Sequence, residues 1–259
     1  MLIFFDIDGT LIDEREHRMP ESARDAVSRA RENGHICMIN TGRTRRLVGA
    51  DITGGVAFDG LLLGCGTMIT YGGQTLFHRT FSGEQSLRIV EGLRSHGIDA
   101  LLEGSENDYI ESYDRMVHPY FREYAQKFAN TSFGSWEDAV GCFDKLFAYA
   151  EDRRRMDAFA DSFSGELDFI DRQRGFFEII PKGCSKASAM EYIAGFLKLP
   201  MEETVAIGDS SNDIAMLKRA GRSIAMGNGT KEVRELADYV TTTVEEDGIR
   251  NALEWLGAL

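Results

Sequence analysis

Residues 1–12 read MLIFFDIDGTLI, and the rest of the chain is organised around them. The apolar run from Leu2 to Phe5 predicts a strand that is buried on both faces. Asp6 and Asp8 follow it and lead into Gly9, which permits a tight turn. Open α/β sheets place their ligand crevices just past the carboxyl ends of the strands, so both carboxylates are expected there. Two close carboxylates repel unless a cation holds them, and Mg²⁺ prefers oxygen ligands; the alternative is a turn whose acids cap the next helix.

Composition limits the classes of protein and partner. The chain has 259 residues, which favours two domains, and a net charge of −13 without a Lys/Arg block, so nucleic acid is not an expected partner. Its four cysteines are widely spaced and fit no zinc or redox motif, which favours free thiols in a reducing cytoplasm. No apolar stretch approaches about 18 residues, so we expect no signal peptide, no membrane span and a cytoplasmic location.

Strands and helices alternate after the first strand. A helix is predicted to begin near Pro20, because Ala23, Ala26, Val27 and Ala30 form one apolar helical face. The next strand, 36–39, completes a βαβ unit, for which parallel strands and a right-handed connection are expected. A third strand at 61–63 and a hairpin at 68–79, with its turn at residues 72 and 73, follow.

The alternation of single strands and helices gives way to a different order of elements between residues 82 and 181. Helices are predicted at 85–95, 119–128 and 153–163, and strands at 98–102, 145–150, 167–170 and 176–180. The first rhythm returns with a helix from Lys186 and a strand at 204–207. We therefore predict an α/β fold, a doubly wound and mainly parallel sheet formed by 1–81 and 182–259, with 82–181 inserted as an α+β domain.

Polar groups follow three of the predicted strands. Besides Asp6 and Asp8, Thr41 follows the second strand, and Asp209, Asn212 and Asp213 follow the strand at 204–207. Lys186 lies at the start of a helix, where free N–H groups favour anions. Acids, a hydroxyl and a lysine at one sheet edge are what phosphoryl transfer requires, with a metal and the lysine neutralising phosphate oxygens and a carboxylate as nucleophile.

Four segments resemble the four motifs of the haloacid dehalogenase superfamily, and their order and the position of the insertion resemble its Cof-type, class IIB phosphatases. They read DIDGT at 6–10, NTGR at 40–43, PKGCSK at 181–186 and GDSSND at 208–213. The resemblance covers nearly the whole chain, although the middle of the insertion matches only in pattern. It implies a Rossmann-like catalytic core and makes the insertion a cap domain.

The resemblance also implies a role for each matching residue. Asp6 would be the nucleophile that becomes aspartyl-phosphate. Asp8 would be the general acid and then the general base, and its backbone carbonyl would contact Mg²⁺. Four residues would bind the phosphate: Thr41, Gly42, Lys186 and Asn212. Three acids would complete the Mg²⁺ site: Asp6, Asp209 and Asp213, of which Asp213 would act directly or through water.

Some positions depart from the family pattern or stay ambiguous. Ala187 replaces the glycine that usually follows the motif lysine, so Lys182 is a rival to Lys186, which we favour because it opens the helix. Cys65 replaces a common asparagine and is interpreted as a structural thiol. Arg43, Arg45 and Arg46 are interpreted either as phosphate ligands or as a solvated helix face. An aromatic and basic set in the insertion favours packing over pocket lining: Tyr109, Tyr113, Arg115, His118 and Tyr120.

The expected function is hydrolysis of small phosphorylated metabolites, with sugar phosphates as the first guess, by a Mg²⁺-dependent phosphatase. A phosphomutase of the same architecture is the alternative within enzymes. Two other classes are a receiver-type phospho-acceptor, which needs about half this length, and a non-catalytic metabolite-binding protein.

Overall fold

A computed structural model describes residues 1–13, 17–111, 116, 118–119, 121–123 and 133–259. Contacts divide the chain into two units. The first contains Met1–Arg43, Leu47–His78 and Ser185–Leu259, and the second contains Thr44–Arg46 and Arg79–Cys184. The predicted division at residues 82 and 181 thus lies close to the observed one at residues 79 and 184.

The first unit is built on an eight-stranded sheet in the order β14-β13-β12-β1-β2-β3-β4-β5. The strands are β1 (Leu2–Phe5), β2 (Ile36–Asn40), β3 (Gly60–Leu63), β4 (Met68–Tyr71), β5 (Gln74–His78), β12 (Thr204–Gly208), β13 (Arg222–Ala225) and β14 (Tyr239–Val240). Pairing is parallel from β14 to β3 and antiparallel through the β4–β5 hairpin. The predicted mainly parallel sheet and hairpin are confirmed.

Strand β1 lies in the interior of this sheet because its side chains are apolar on both faces. Ile3 and Phe5 belong to one core cluster, and Leu2 and Phe4 belong to the other. The helices of this unit are α1 (Glu21–Glu32), α2 (Ala50–Thr53), α5 (Lys186–Leu197), α6 (Ile214–Arg219), α7 (Lys231–Leu236) and α8 (Gly248–Trp255). The buried face of α1 consists of the four residues that its spacing predicts.

The second unit contains a six-stranded sheet in the order β10-β11-β9-β6-β7-β8. Its strands are β6 (Asp99–Glu103), β7 (Asp108–Ile110), β8 (Gly134–Ser135), β9 (Lys145–Tyr149), β10 (Leu167–Asp171) and β11 (Phe176–Pro181). Helices α3 (Gly83–His96) and α4 (Arg153–Ser162) contribute to its apolar core. Four strands and two helices match the predicted elements, whereas the short strands β7 and β8 were not predicted. The third predicted helix, 119–128, lies largely outside the described residues.

Within the described part of the chain, none of the helices combines the length and the apolar character that crossing a membrane requires.

Candidate active site

Three neighbouring parallel strands of the first unit deliver the predicted groups to one sheet edge. Asp6 directly follows β1, Thr41 follows β2 and Asp209 follows β12, and β1 pairs with both other strands. The Asp6 N–H donates to the Ile207 carbonyl at 3.0 Å, so parallel pairing continues to Asp6. The sequence expectation that these strand ends lie together agrees with this arrangement.

A glycine lets the first motif approach the last one. Gly9 has φ +77°, and a Cβ added to it would lie 2.5 Å from Oδ2 of Asp209. The next residue, Thr10, donates its hydroxyl to Oδ1 of Asp209 at 3.2 Å. Any side chain at position 9 would therefore both strain the backbone and displace the Asp209 carboxylate.

Lys186 is held at the first turn of α5. The Ser185 hydroxyl accepts from the Ser188 N–H at 2.9 Å, which starts the helix at this point. The Asn40 side-chain amide donates to the Lys186 carbonyl at 3.0 Å. The lysine side chain is fully buried, and its Nζ donates to Oδ1 of Asp6 and to Oδ1 of Asp213, at 2.6 Å each.

Asp213 has both carboxylate oxygens in use. Oδ1 accepts from Lys186, and Oδ2 accepts the backbone N–H groups of Asp209 and Ser210 at 3.0 Å each. The Asn212 side-chain oxygen accepts the Ser210 hydroxyl at 2.7 Å. These contacts fix the loop after β12, so Asp213 and Asn212 support the position of Asp209.

Three carboxylates converge here. Asp6, Asp209 and Asp213 each offer an oxygen within 4.8 Å of the others, and all three residues are buried. Burial and the Asp213 charge raise the pKa of Asp6 to about 7, although the charge and hydrogen bond of Lys186 lower it. Burial and the Asp6 charge raise the pKa of Asp209 to about 8. Burial alone would lower the pKa of Lys186, but Asp213 and Asp6 together raise it.

The donor set fits Mg²⁺. One ammonium faces three carboxylates, and burial first, then the neighbouring carboxylates, raise the pKa of Asp6 and of Asp209. Hard divalent cations prefer oxygen ligands, and the carboxylates on the buried loops after β1 and β12 provide them. Asp6 and Asp209 are the side chains with the fewest competing protein hydrogen bonds among the three described acids, so they are the residues that would hold the metal.

The remaining predicted residues lie around this cluster. Thr41 is 1% exposed, and its hydroxyl accepts the Arg43 N–H at 3.1 Å. Asp8 does not join the carboxylate group; its side chain is 44% exposed and forms an ion pair with Arg43. The guanidinium of Arg43 is engaged by Asp8, and its two interpretations, phosphate ligand and solvated face, both stay predictions.

Other ambiguous positions are resolved by location. Lys182 belongs to the second unit and pairs with Asp168 at 2.9 Å, whereas Lys186 belongs to the first unit and contacts Asp6 and Asp213. Cys65 is buried as a thiol and has φ +53°. In the insertion, His118 packs on the rings of Tyr149 and Phe176, with centroids 4.1 and 4.8 Å apart. Three members of the predicted aromatic and basic set lie outside the described residues: Tyr113, Arg115 and Tyr120.

The sequence did not single out two charged arrangements. One is the Arg43–Asp8 pair, for which the position of Arg43 two residues after Thr41 was an available signal. The other is a buried cluster in the second unit, in which Lys145 contacts Glu103 and Glu178 at 2.6 and 2.8 Å. Its signal was a charged residue within each largely apolar strand segment, at the end of β6, the start of β9 and the interior of β11.

Comparisons with known proteins agree with this geometry. A family model described as haloacid dehalogenase-like hydrolase matches residues 3–253. The putative phosphatase YkrA of Bacillus subtilis is 30% identical, with 100% of this chain and 98% of the relative covered. A 5-amino-6-(5-phospho-D-ribitylamino)uracil phosphatase, YitU, of the same organism is 26% identical, with 98% and 96% covered.

Solved structures share the fold over the full length. The structure of BT1666 from Bacteroides thetaiotaomicron, one of the phosphatases of the haloalkanoate enzyme superfamily, has a TM-score of 0.85 at 24% identity and covers 100% of this chain and 95% of its own. The subclass IIB sugar phosphatase BT4131 also has a TM-score of 0.85, at 23% identity, with 100% and 99% covered.

Proposed function

The chain belongs to the haloacid dehalogenase-like hydrolase family and is a phosphatase, and we propose that it is Mg²⁺-dependent and hydrolyses small phosphorylated metabolites through an aspartyl-phosphate on Asp6. The observation that carries the proposal is the placement of Asp6. Its carboxylate lies at the end of β1, 2.6 Å from the Lys186 ammonium and within the carboxylate group that suits a divalent cation.

The geometry leaves one Asp6 oxygen available for attack. Lys186 donates to Oδ1, so Oδ2 is the candidate nucleophile. Lysine also supplies fixed positive charge for the phosphoryl oxygens, and Thr41 supplies a buried hydroxyl at the neighbouring strand end. Bound Mg²⁺ would add further neutralisation of phosphoryl charge and would permit an ionised Asp6 to approach an anionic substrate.

Hydrolysis proceeds in two steps through an aspartyl-phosphate on Asp6. In the first, an Asp6 oxygen forms a bond to phosphorus, the ester P–O bond breaks, and its electron pair goes to the leaving oxygen, which takes a proton from Asp8. In the second, a water oxygen attacks phosphorus and gives a proton to Asp8. The bond between Asp6 and phosphorus then breaks, which releases inorganic phosphate and restores the carboxylate.

The proposed substrates are small phosphorylated metabolites, with sugar phosphates as the first class to test. Two named relatives support a small substrate, since one acts on a phosphorylated ribitylaminouracil and another is a sugar phosphatase. A net charge of −13 disfavours a polyanionic partner such as nucleic acid.

Phosphate release tests this proposal. A panel of phosphorylated sugars, nucleotides and cofactors is incubated with the protein, in Mg²⁺ or in EDTA, without any sugar acceptor. We expect Mg²⁺-dependent release of inorganic phosphate, and we expect Asp6→Asn to lower it by at least about 10³-fold. Asp25→Asn is the matched control, because it makes the same change at an exposed position of α1.

Thermal unfolding of the Asp6→Asn protein shows whether the fold survives the change. Retained turnover in Asp6→Asn, or equal rates in Mg²⁺ and EDTA, would contradict the proposal. Phosphate transfer only in the presence of a sugar acceptor would identify a phosphomutase instead. A stable acyl-phosphate without turnover would identify a phospho-acceptor.

A further inference from the structure

Asp8 and Arg43 form a two-pronged ion pair within the first unit. Arg43 Nε donates to Oδ2 of Asp8 at 2.9 Å, and Nη2 donates to Oδ1 at 2.5 Å. Parallel N–H donors of this kind fix both the direction and the plane of a carboxylate. The pair therefore determines where the Asp8 side chain points.

Arg43 is itself anchored on the segment that carries Thr41. Its Nη1 donates to the Leu47 carbonyl at 3.2 Å, and its backbone N–H donates to the Thr41 hydroxyl at 3.1 Å. The side chains of Arg43 and Asp8 are 21% and 44% exposed, so the guanidinium is the less exposed partner. One residue thus connects the proposed proton-transfer group to the proposed phosphate-binding hydroxyl.

Without this partner, Asp8 would have no comparable restraint. It lies in a turn before a glycine with φ +77°, and Arg43 supplies both side-chain hydrogen bonds that the described residues make to its carboxylate. A partly exposed aspartate in a turn can adopt several rotamers. Proton transfer requires one geometry, and a displacement of about 1 Å can cost about 100-fold in rate.

We propose that Arg43 is a positioning residue for Asp8 and governs protonation of the leaving oxygen. This inference rests on the proposed function, because it takes Asp8 as the general acid. When one Asp8 oxygen carries the proton, that oxygen becomes a hydrogen-bond donor and a weaker acceptor for the guanidinium. The other Asp8 oxygen keeps its N–H partner. One of the two Arg43 hydrogen bonds therefore still holds the Asp8 side chain while the proton moves to the leaving oxygen.

Two substrates with different leaving groups test the proposal. The departing alkoxide of glucose 6-phosphate needs a proton, whereas the nitrophenolate of p-nitrophenyl phosphate leaves without one. The measurement is kcat/KM, which covers the steps up to departure of the leaving group and excludes hydrolysis of the aspartyl-phosphate. We expect Arg43→Met to lower kcat/KM for glucose 6-phosphate by up to about 100-fold and that for the aryl ester by no more than about threefold.

Further variants separate positioning from other roles. Arg43→Lys keeps the positive charge but not the two parallel N–H donors of the guanidinium. We therefore expect its ratio of kcat/KM for glucose 6-phosphate to kcat/KM for p-nitrophenyl phosphate to lie between that of the unchanged protein and that of Arg43→Met. In a double-mutant cycle, adding Arg43→Met to Asp8→Asn should not shift the ratio further, because both changes act on one proton transfer. Arg29→Met removes the same charge at an exposed position of α1 and should leave the ratio of kcat/KM for the two substrates unchanged.

The outcomes are distinguishable. Equal losses on both substrates in Arg43→Met would assign Arg43 to phosphate binding or to the fold and overturn the inference, as would an unchanged ratio. Additive effects in the cycle would also overturn it. If Asp8→Asn itself leaves the ratio unchanged, the general-acid role in the proposed function fails, and that result is obtained without any change at Arg43.

Discussion

The two units each bury a lysine between two carboxylates. In the first unit, Lys186 contacts Asp6 and Asp213 at 2.6 Å each, and its side chain is 0% exposed. In the second, Lys145 contacts Glu103 and Glu178 at 2.6 and 2.8 Å, and its side chain is 4% exposed. By distance and burial alone, the two arrangements are nearly the same.

They differ in what holds the groups. Lys145 lies directly opposite Glu103 on antiparallel strands β9 and β6, so strand register brings them together. Lys186, Asp6 and Asp213 come instead from a helix start and from loops after parallel strands. Loops at strand ends can present carboxylate oxygens to a ligand, whereas a pair set by register within a sheet mainly fixes the alignment of its strands.

They also differ in charge balance. A third acid accompanies each lysine: Asp209 in the first unit and Asp108 in the second. Asp108 is fully buried and forms an ion pair with Arg46, although burial and Glu103 still raise its pKa to about 7. Asp209 accepts from the Thr10 hydroxyl, and Lys186 acts on it only through its charge, as far as the described residues show. Among the described residues, only the first arrangement gathers three acidic groups that could hold a metal. The convergence of three carboxylates, more than the buried ion pair, distinguishes the first arrangement.

Replacing each lysine by methionine gives the largest expected contrast. Removing one partner of a buried ion pair leaves an unpaired charge, so both variants should lose about 3–5 kcal/mol of unfolding free energy in EDTA. We expect only Lys186→Met to lower kcat by about 10³-fold, because of the two lysines it is Lys186 that contacts Asp6, the proposed nucleophile.

Urea unfolding with and without Mg²⁺ sharpens the same contrast. Added Mg²⁺ should recover part of the lost stability in Lys186→Met, since a divalent cation can neutralise Asp6 and Asp209, and none in Lys145→Met. Equal recovery in both variants would mean that the two clusters do not differ in the way their charges indicate.

The pH dependence of stability gives an effect that is specific to the titrating acids. The pKa values of Asp6 and Asp209 rise from 3.8 in the unfolded chain to about 7 and about 8 in the folded one. The folded protein therefore binds more protons between these limits, and unfolding free energy in EDTA should fall as pH rises from about 4 to about 8. The slope should reach about 1.4 kcal/mol per pH unit for each acid.

Magnesium separates the two units in this experiment. Bound Mg²⁺ favours the ionised acids, so the decline assigned to Asp6 and Asp209 should weaken in saturating Mg²⁺. Asp108 contributes a decline of the same sign, because its pKa is also raised, but Mg²⁺ should not affect it. Asp108→Asn is the control: it should remove the Mg²⁺-insensitive part alone. An identical pH profile in EDTA and Mg²⁺ would contradict the assignment.

Much of the first unit could be predicted because its signals are local. In β1 and in α1, the pattern of apolar residues over a short stretch of sequence is enough to predict which faces are buried. Each motif group directly follows its own strand, and parallel strands end at one edge, so Asp6, Thr41 and Asp209 could be expected together before any coordinates.

The second unit's charged cluster could not be predicted in the same way. Glu103 and Lys145 are 42 residues apart, and only the register of β6 against β9 makes them neighbours. Strand β8 has only two residues, too few for any alternation of side chains to be visible. The Arg43–Asp8 pair depends on side-chain direction across 35 residues of chain, which spacing within a motif does not specify.

A third lysine completes the comparison and carries the smallest expected effect. Lys182 pairs with Asp168 at 2.9 Å, but the two side chains are 53% and 38% exposed. Water solvates both charges before and after the pair is broken, so Lys182→Met should change unfolding free energy by no more than about 1 kcal/mol. Phosphatase activity should also be unchanged, because this lysine belongs to the second unit and Lys186 occupies the place beside Asp6. Urea unfolding and kcat/KM measured side by side for Lys182→Met, Lys145→Met and Lys186→Met would then rank the three pairs. A large loss of activity at Lys182 with little loss at Lys186 would reverse the choice between the two rival lysines, and it would show that burial beside Asp6 is not what selects the phosphoryl-binding cation.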